Sequence, residues 1–428
     1  MSQALSDDVK PREVWAWAMY DFANSGYTTV VITAVFSAYF VSVVSGNAPW
    51  ATFAWTAALA VSYALIMLTA PIMGAYADVR RAKKKLLFLT TVGCVLCTAG
   101  LAFAGPGSVG LALLFVILSN YFYGSGENLI AAFLPELADS RSLGKVSGWG
   151  WSFGYLGGLV ALGLCLAYVA AAQARGEEAA QFVPATMLIT AAMFGLASLP
   201  TFIFLRDRGR FFATGSRGLL VQAFERLRHT LREAHRYVDM RRLLVCIVFY
   251  QAGIQTVIAL AAIYAQQAMK FSTKDTIALI FTVNITAAMG AFAFGYLQDR
   301  LGHVKTIAAT LVGWLVMIGL AWAAQGPALF WVAANLAGIC LGSSQSAGRA
   351  LVGLLSPVAR RAEFYGLWGL AVKLSSILGP MTYGLVTWVT AGNHRLAMLA
   401  TSSFFVVGLL LLAGIDVQRG RRAALAEE

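Results

Sequence analysis

The sequence predicts an all-α membrane protein of twelve transmembrane helices in two pseudo-symmetric six-helix bundles. Three observations predict it. Of 428 residues, 59% are hydrophobic and 12% charged, about half the charged share of an ordinary soluble domain. Apolar runs long enough for a bilayer core, which takes about 20 helical residues, recur along the whole chain. Landmarks of the first half return in the second at a near-constant spacing. The mean hydropathy of +0.71 is too high for a soluble chain of this size, because single aqueous cores stop growing near about 250–300 residues.

The runs are 14–44, 50–78, 84–105, 108–135, 145–172, 180–205, 241–269, 275–300, 304–325, 328–357, 364–391 and 396–416, and are called spans 1 to 12. Several are long enough to imply tilt or extension beyond the hydrocarbon. The 41 glycines suit close helix packing in lipid. Met1 to Arg12 is polar and the first run is too long for a signal-peptide core, so span 1 is expected to be retained.

Lys and Arg set the orientation. With the N-terminus inside, the inner segments hold 26 of the 32 Lys and Arg. The outer loops hold Arg175, Lys270, Lys274 and Arg395. Both termini are then expected in the cytoplasm. The net charge of +12 is explained as topology, and no nucleic-acid partner is expected. The long basic segment between spans 6 and 7 divides the chain into 1–205, a cytoplasmic linker at 206–240, and 241–428. Within the linker, Leu220, Phe224, Leu227, Leu231, Ala234 and Val238 share a helical face. Arg226, Arg228, Arg232 and Arg236 lie largely off it. That pattern predicts an amphipathic helix on anionic headgroups, with a disordered linker as the alternative.

Cys94, Cys97, Cys165, Cys246 and Cys340 all sit in apolar runs, so neither a disulfide framework nor a metal site is implied. No phosphate-binding loop or nucleophile elbow is present, and the four histidines lie in loops or at the interface. An enzyme, an ATP-driven pump and a cofactor are all unsupported.

The repeat is read from GAYADVRRAKK (74–84) and GYLQDRLGHVK (295–305). Gly74 and Gly295, and Asp78 and Asp299, are 221 apart; Pro135 and Pro357, and Gly157 and Gly379, are 222 apart. A six-helix unit duplicated in tandem has that signature. The second string fits G-x-x-x-D-R-x-G-x-x-K, with Gly295, Asp299, Arg300, Gly302 and Lys305. The first, with Gly74, Asp78 and Arg80, is degenerate, and Arg81 stands where the loop glycine is expected. Here the chain resembles the major facilitator superfamily. The resemblance implies rocker-switch transport, with the motif at the inner gate. Physically, each aspartate can cap or pair with an adjacent helix end and the basic residues. The strings WAWAMYDFANSGYTTVV (15–31), AAFLPELA (131–138), SGWGWSFGYLGG (147–158) and EFYGLWGLAVKLSSILGP (363–380) resemble the unknown-major-facilitator family. That family is similar to autophagy-related vacuolar amino-acid effluxers of fungi, which implies export of amino acids or related metabolites.

Ionisable groups at membrane depth are costly and mark function. Four stand well inside the runs, away from their ends: Asp21, Glu127, Arg349 and Lys373. Glu127 and Arg349 are 222 apart, hence repeat-equivalent. In the superfamily, spans 1, 4, 7 and 10 line the cavity, so the two are expected to face each other across it. Three readings stay open. Glu127 carries a proton; the pair is a structural gate bridge; or Arg349 takes a substrate anion and Glu127 an ammonium. Asp21 is a coupling or amine-binding residue, or is paired to an inner-loop base. Lys373 snorkels, pairs with Glu127 or Asp21, or holds an anion. Asn24, Tyr27, Asn120, Tyr123, Gln251, Gln255 and Gln345 complete the expected cavity. Trp149, Trp151 and Tyr155 are read as packing or as an apolar wall, and Gly150, Gly154, Gly157 and Gly158 as a close-packed face of span 5.

The expected function is a secondary active transporter of a small organic solute, working as a monomer by alternating access. Proton-coupled export of amino acids or short peptides leads. A drug/proton antiporter and a non-transporting sensor or partner protein are the alternatives.

Overall fold

The computed structural model describes residues 8–46, 48, 51–139, 142–208, 237–271, 273–390 and 393–426. The expected linker helix lies outside them, between 208 and 237. Each of the twelve runs carries helix: α1 (Pro11–Tyr27), α2 (Ala51–Arg80), α3 (Lys83–Gly100), α4 (Val109–Ala131), α5 (Leu143–Ala174), α6 (Ala179–Phe204), α7 (Val238–Gln267), α8 (Thr273–Leu301), α9 (His303–Ala323), α10 (Pro327–Leu355), α11 (Arg361–Val389) and α12 (His394–Ala413). A short α13 (Val417–Leu425) follows. Among the described residues, nine helices are long and apolar enough to cross a membrane by themselves, and a bent pair in α2 makes a tenth.

The helix starts follow local chemistry. Pro11 opens α1, where its missing N–H costs nothing, and Glu13 reaches back to the Lys10 amide at 3.3 Å. Asp416 caps α13 by accepting from the Gln418 and Arg419 amides. Span 1 departs from a simple rod. Beyond Tyr27 it widens into a π-helix, Thr28–Ala34, then a turn of α-helix, Phe36–Tyr39, and a second π stretch, Phe40–Val44. Residues 28–33 are all β-branched, and such side chains crowd the preceding turn of a regular helix. Pro184 and Pro200 in α6 and Pro380 in α11 stand inside helices, as bundles in lipid tolerate.

One side of the bundle gathers Pro11, Arg80, Lys83, Leu143, Phe204, Val238, Leu301, His303, Leu355 and Arg361 at helix ends. It is called the basic side. Leu68, Phe103, Leu196, Ile203 and Leu410 are exposed on the outer surface, as a lipid-facing belt requires. The halves, α1–α6 and α7–α12, meet along α5 with α8 and α2 with α11, and α5 also packs on α10. At the first crossing the backbones touch. A Cβ added at Gly148 would lie 2.5 Å from the Ala291 carbonyl oxygen.

The start of the linker is tied to the first half. Arg81 donates to the Asp207 carbonyl at 2.7 and 3.1 Å, and Lys84 to the Leu205 carbonyl at 2.6 Å. Arg208 reaches Glu13 at 2.9 Å and Asp8 at 3.0 Å. Its guanidinium holds the Asp8 carboxyl below the usual carboxylate range.

Candidate functional site

Arg349 lies about 9 Å in from the basic end of α10 at 1.5 Å per residue. It is 3% exposed and points at the other half. It donates to Asp21 Oδ2 at 2.7 Å, to Ser147 Oγ at 3.1 Å and to the Ser147 carbonyl at 2.9 Å. Trp17 and Trp151 stand against the guanidinium at 4.7 and 5.2 Å. Ser147 Oγ in turn donates a hydrogen bond to the Ser346 carbonyl at 2.9 Å. The pair needs a bare backbone beside it. A Cβ at Gly150 would lie 2.5 Å from Asp21 Oδ2 and 2.6 Å from an Arg349 nitrogen.

Lys373 lies about 18 Å into α11, close to the middle of a bilayer core about 30 Å thick. That is too deep for the snorkelling reading. Its ammonium is 3.2 Å from Glu127 Oε2 on α4. It also sits 5.4 Å from the Tyr63 ring and 5.8 Å from the Tyr123 ring. Tyr27 stacks on Tyr123 at 5.1 Å and bonds Ser119 through its hydroxyl at 2.8 Å.

The reading of Glu127 and Arg349 as one gate bridge is therefore corrected. Repeat equivalence put them at matching places in their halves and was silent on the nearer opposite charge. Arg349 bonds Asp21 on α1, and Glu127 bonds Lys373 on α11. Both pairs cross between the halves.

The uncharged residues form short bridges. Gln251 donates to Gln345 Oε1 at 2.7 Å, joining α7 to α10. Asn120 donates to Ser62 at 2.5 Å, joining α4 to α2. Asn24 is buried, and its Oδ1 has no hydrogen-bond partner among the described residues. Gln255 is half-buried on α7. The glycine face of α5 packs as expected, with Gly154 and Gly158 against Ser25 and Thr29 of span 1.

The two copies of the repeated motif do the same thing in mirrored places. Asp299, at the end of α8, accepts from the Gly144 and Lys145 amides at 3.0 Å each. Asp78, at the end of α2, accepts from the Glu363 amide at 3.0 Å. Each aspartate thus caps the first turn of a helix in the opposite half, where free amides and the helix dipole favour an anion. The following turn is left-handed in both copies, with φ of 91° at Gly302 and 52° at Arg81. Lys83, buried beside Asp78, bonds Glu136. Gly74 and Gly295 are buried, Arg80 is half-buried, and Arg300 and Lys305 are exposed.

The pattern of the family described as "Vacuole effluxer Atg22 like" matches residues 50–144 and 138–425. The chain belongs to this family. This Atg22-like chain is 26% identical over 405 residues to the uncharacterised MFS-type transporter YxiO of Bacillus subtilis, covering 93% of each. It is 25% identical to autophagy-related protein 22 of Kluyveromyces lactis, over 80% of this chain and 74% of that one. Its fold is shared by the proton:xylose symporter XylE (TM-score 0.74, 16% identity, 97% and 98% covered). It is also shared by the human organic anion transporter MFSD10 (0.72, 15%, 94% and 100%). An outward-facing bacterial homologue of the iron transporter ferroportin has it too (0.72, 14%, 94% and 99%). The Atg22-like chain is a multi-pass secondary transporter of the major facilitator superfamily and not an enzyme.

Reading the sequence missed Tyr63 and Ser147. Tyr63 carries no polar neighbour at helical spacing in its own run that would single it out. Ser147 looked like one small residue in a glycine-rich stretch. Trp17 and Trp151 are aromatic walls of the Arg349 site, a role that spacing alone did not assign.

Proposed function

We propose that this Atg22-like chain is a proton-coupled exporter of amino acids or short peptides, held here closed at its cytoplasmic side. The carrying observation is the buried Arg349–Asp21 bond, which ties the second half to the first near the basic end of the bundle. The charge asymmetry of the loops supports reading that end as cytoplasmic. The two aspartate caps add to the closure on the same side. All of these bonds join one half to the other, so a rocking motion that opens the basic side breaks them together. Opposite charges at cavity depth, Asp21 with Arg349 and Glu127 with Lys373, suit a zwitterionic solute. A carboxylate that exchanges a basic partner for a proton supplies the coupling. On this reading the chain works as a monomer in a bacterial inner membrane, with both termini in the cytoplasm. Residues 1–205 and 241–428 are the moving bodies, and 206–240 rests on anionic lipid.

Flux measurement in proteoliposomes tests this. The purified chain is reconstituted, a pH gradient is imposed, and uptake of a panel of amino acids, dipeptides and cationic dyes is followed. Amino-acid or dipeptide flux that collapses with the gradient is expected. Dye flux alone would replace the reading with a drug/proton antiporter. No flux of any solute would replace it with a non-transporting role.

A further inference from the structure

Three side chains of the first half close around an ammonium that belongs to the second. Glu127 and Tyr123 stand on α4 and Tyr63 on α2, two helices packed on each other. The cation they hold, Lys373 Nζ, comes from α11. A carboxylate beside phenol rings is the arrangement by which proteins recognise organic ammonium ions. Tyr27, stacked behind Tyr123, fixes the tilt of one ring. The Glu127 side chain is 23% exposed, against 9% for Lys373, so the anionic wall of the cage is open to a second visitor.

We propose that Glu127, Tyr63 and Tyr123 are the binding site for the primary ammonium of the transported solute, and that Lys373 is a tethered ammonium filling it in the closed state. The proposal rests on the transport reading for the word "transported". The cage itself is a property of the folded chain. When the halves rock, Lys373 travels with α11 while the cage stays whole in its own bundle. A solute ammonium entering from the basic side then takes the vacated place. As the basic side closes again, Lys373 returns and displaces it toward the far side. Glu127 has a cation in both the closed and the solute-bound states, Lys373 in the first and the solute ammonium in the second. Amines are recognised, and solutes without an amine are not.

The test uses the full chain in detergent, thermal unfolding, and n-butylammonium chloride against sodium chloride at equal ionic strength. A ligand that binds only the folded state raises Tm by mass action. Lys373→Ala is expected to gain Tm with rising butylammonium, with apparent affinity roughly tenfold or more above that of the wild type. The Glu127→Gln/Lys373→Ala double variant is expected to stay flat, and Tyr123→Leu in the Lys373→Ala background to weaken the response. A flat Lys373→Ala, or a double variant that responds as strongly, overturns the proposal. Should Lys373→Ala not fold, Lys373→Ser opens the same slot and gives the same reading. If Lys373→Ala responds while the wild type moves no amino acid in liposomes, the cage stands and the amino-acid reading falls. If amino acids move and Lys373→Ala is flat, the cage falls alone.

Discussion

Arg349 and Lys373 each carry a cation from the second half to a carboxylate of the first, and their surroundings differ. Arg349 has three hydrogen bonds of 2.7–3.1 Å and two indole rings against it. Its partner Asp21 is wedged between α1 and α5 by the absence of a side chain at Gly150. Lys373 has one contact at 3.2 Å to a carboxylate that is partly exposed. A planar guanidinium with several fixed acceptors is a rigid joint. A flexible ammonium with a single acceptor and two rings is an exchangeable occupant. Charge type is the same in the two pairs, and the Glu127 carboxylate is the more exposed of the two acids. On the proposed reading, the number of fixed partners separates a latch from a site.

The sharpest way to break this contrast is to remove each cation. Arg349→Met leaves Asp21 buried and uncompensated, an expected loss of about 3–5 kcal/mol read by thermal unfolding. Adding Asp21→Asn is expected to restore most of it. Lys373→Met removes one charge-assisted bond, an expected loss of about 1.5–3 kcal/mol in the same assay. Equal losses would end the distinction. Next in size are the two capping aspartates. Asp299→Ala frees two amides of α5 at a cost of about 0.5–2 kcal/mol. It should also raise the reactivity of a Ser346→Cys probe toward a water-soluble maleimide, since Ser346 lies under the latch. Unchanged labelling would mean that the cap does not hold the basic side shut.

The smallest expected effect compares the two copies of the motif. The position after the capping helix is left-handed in both, yet one copy has Gly302 and the other Arg81. A side chain in that region costs about 1–2 kcal/mol. Arg81 offsets part of this through its bonds to the Asp207 carbonyl. Arg81→Gly is expected to gain up to about 1 kcal/mol, measured as a rise in Tm. A fall would show that anchoring the linker outweighs the strained backbone.

Much of this was legible along the chain. Helix positions follow from apolar runs, because a backbone in lipid must satisfy its own hydrogen bonds. Gly302 announces a left-handed turn because glycine alone adopts it freely. That Asp299 can cap a helix end was readable from the repeated motif; that the helix is α5 of the other half was not. The widened second part of span 1 was less legible. Its β-branched run reads equally well as an ordinary apolar helix, because the same residues are found in both. Tyr63 was invisible because a tyrosine in an apolar run is ordinary packing until a cation stands over its ring.

The sequence by itself determined the class, the twelve helical runs, the repeat, the basic side and the four ionisable residues inside the runs. These depend on composition and on spacings within one helix or one repeat. Only the tertiary structure decided which cation meets which carboxylate. Arg349 and Asp21 are 328 residues apart, and Lys373 and Glu127 are 246 apart. Their pairing depends on how whole helices are rotated and on which helices of the opposite half they touch. No local pattern encodes that rotation. Packing settles it, through bare crossings such as Gly148 on Ala291 and Gly150 beside Asp21, where the absence of a side chain decides how closely two helices approach.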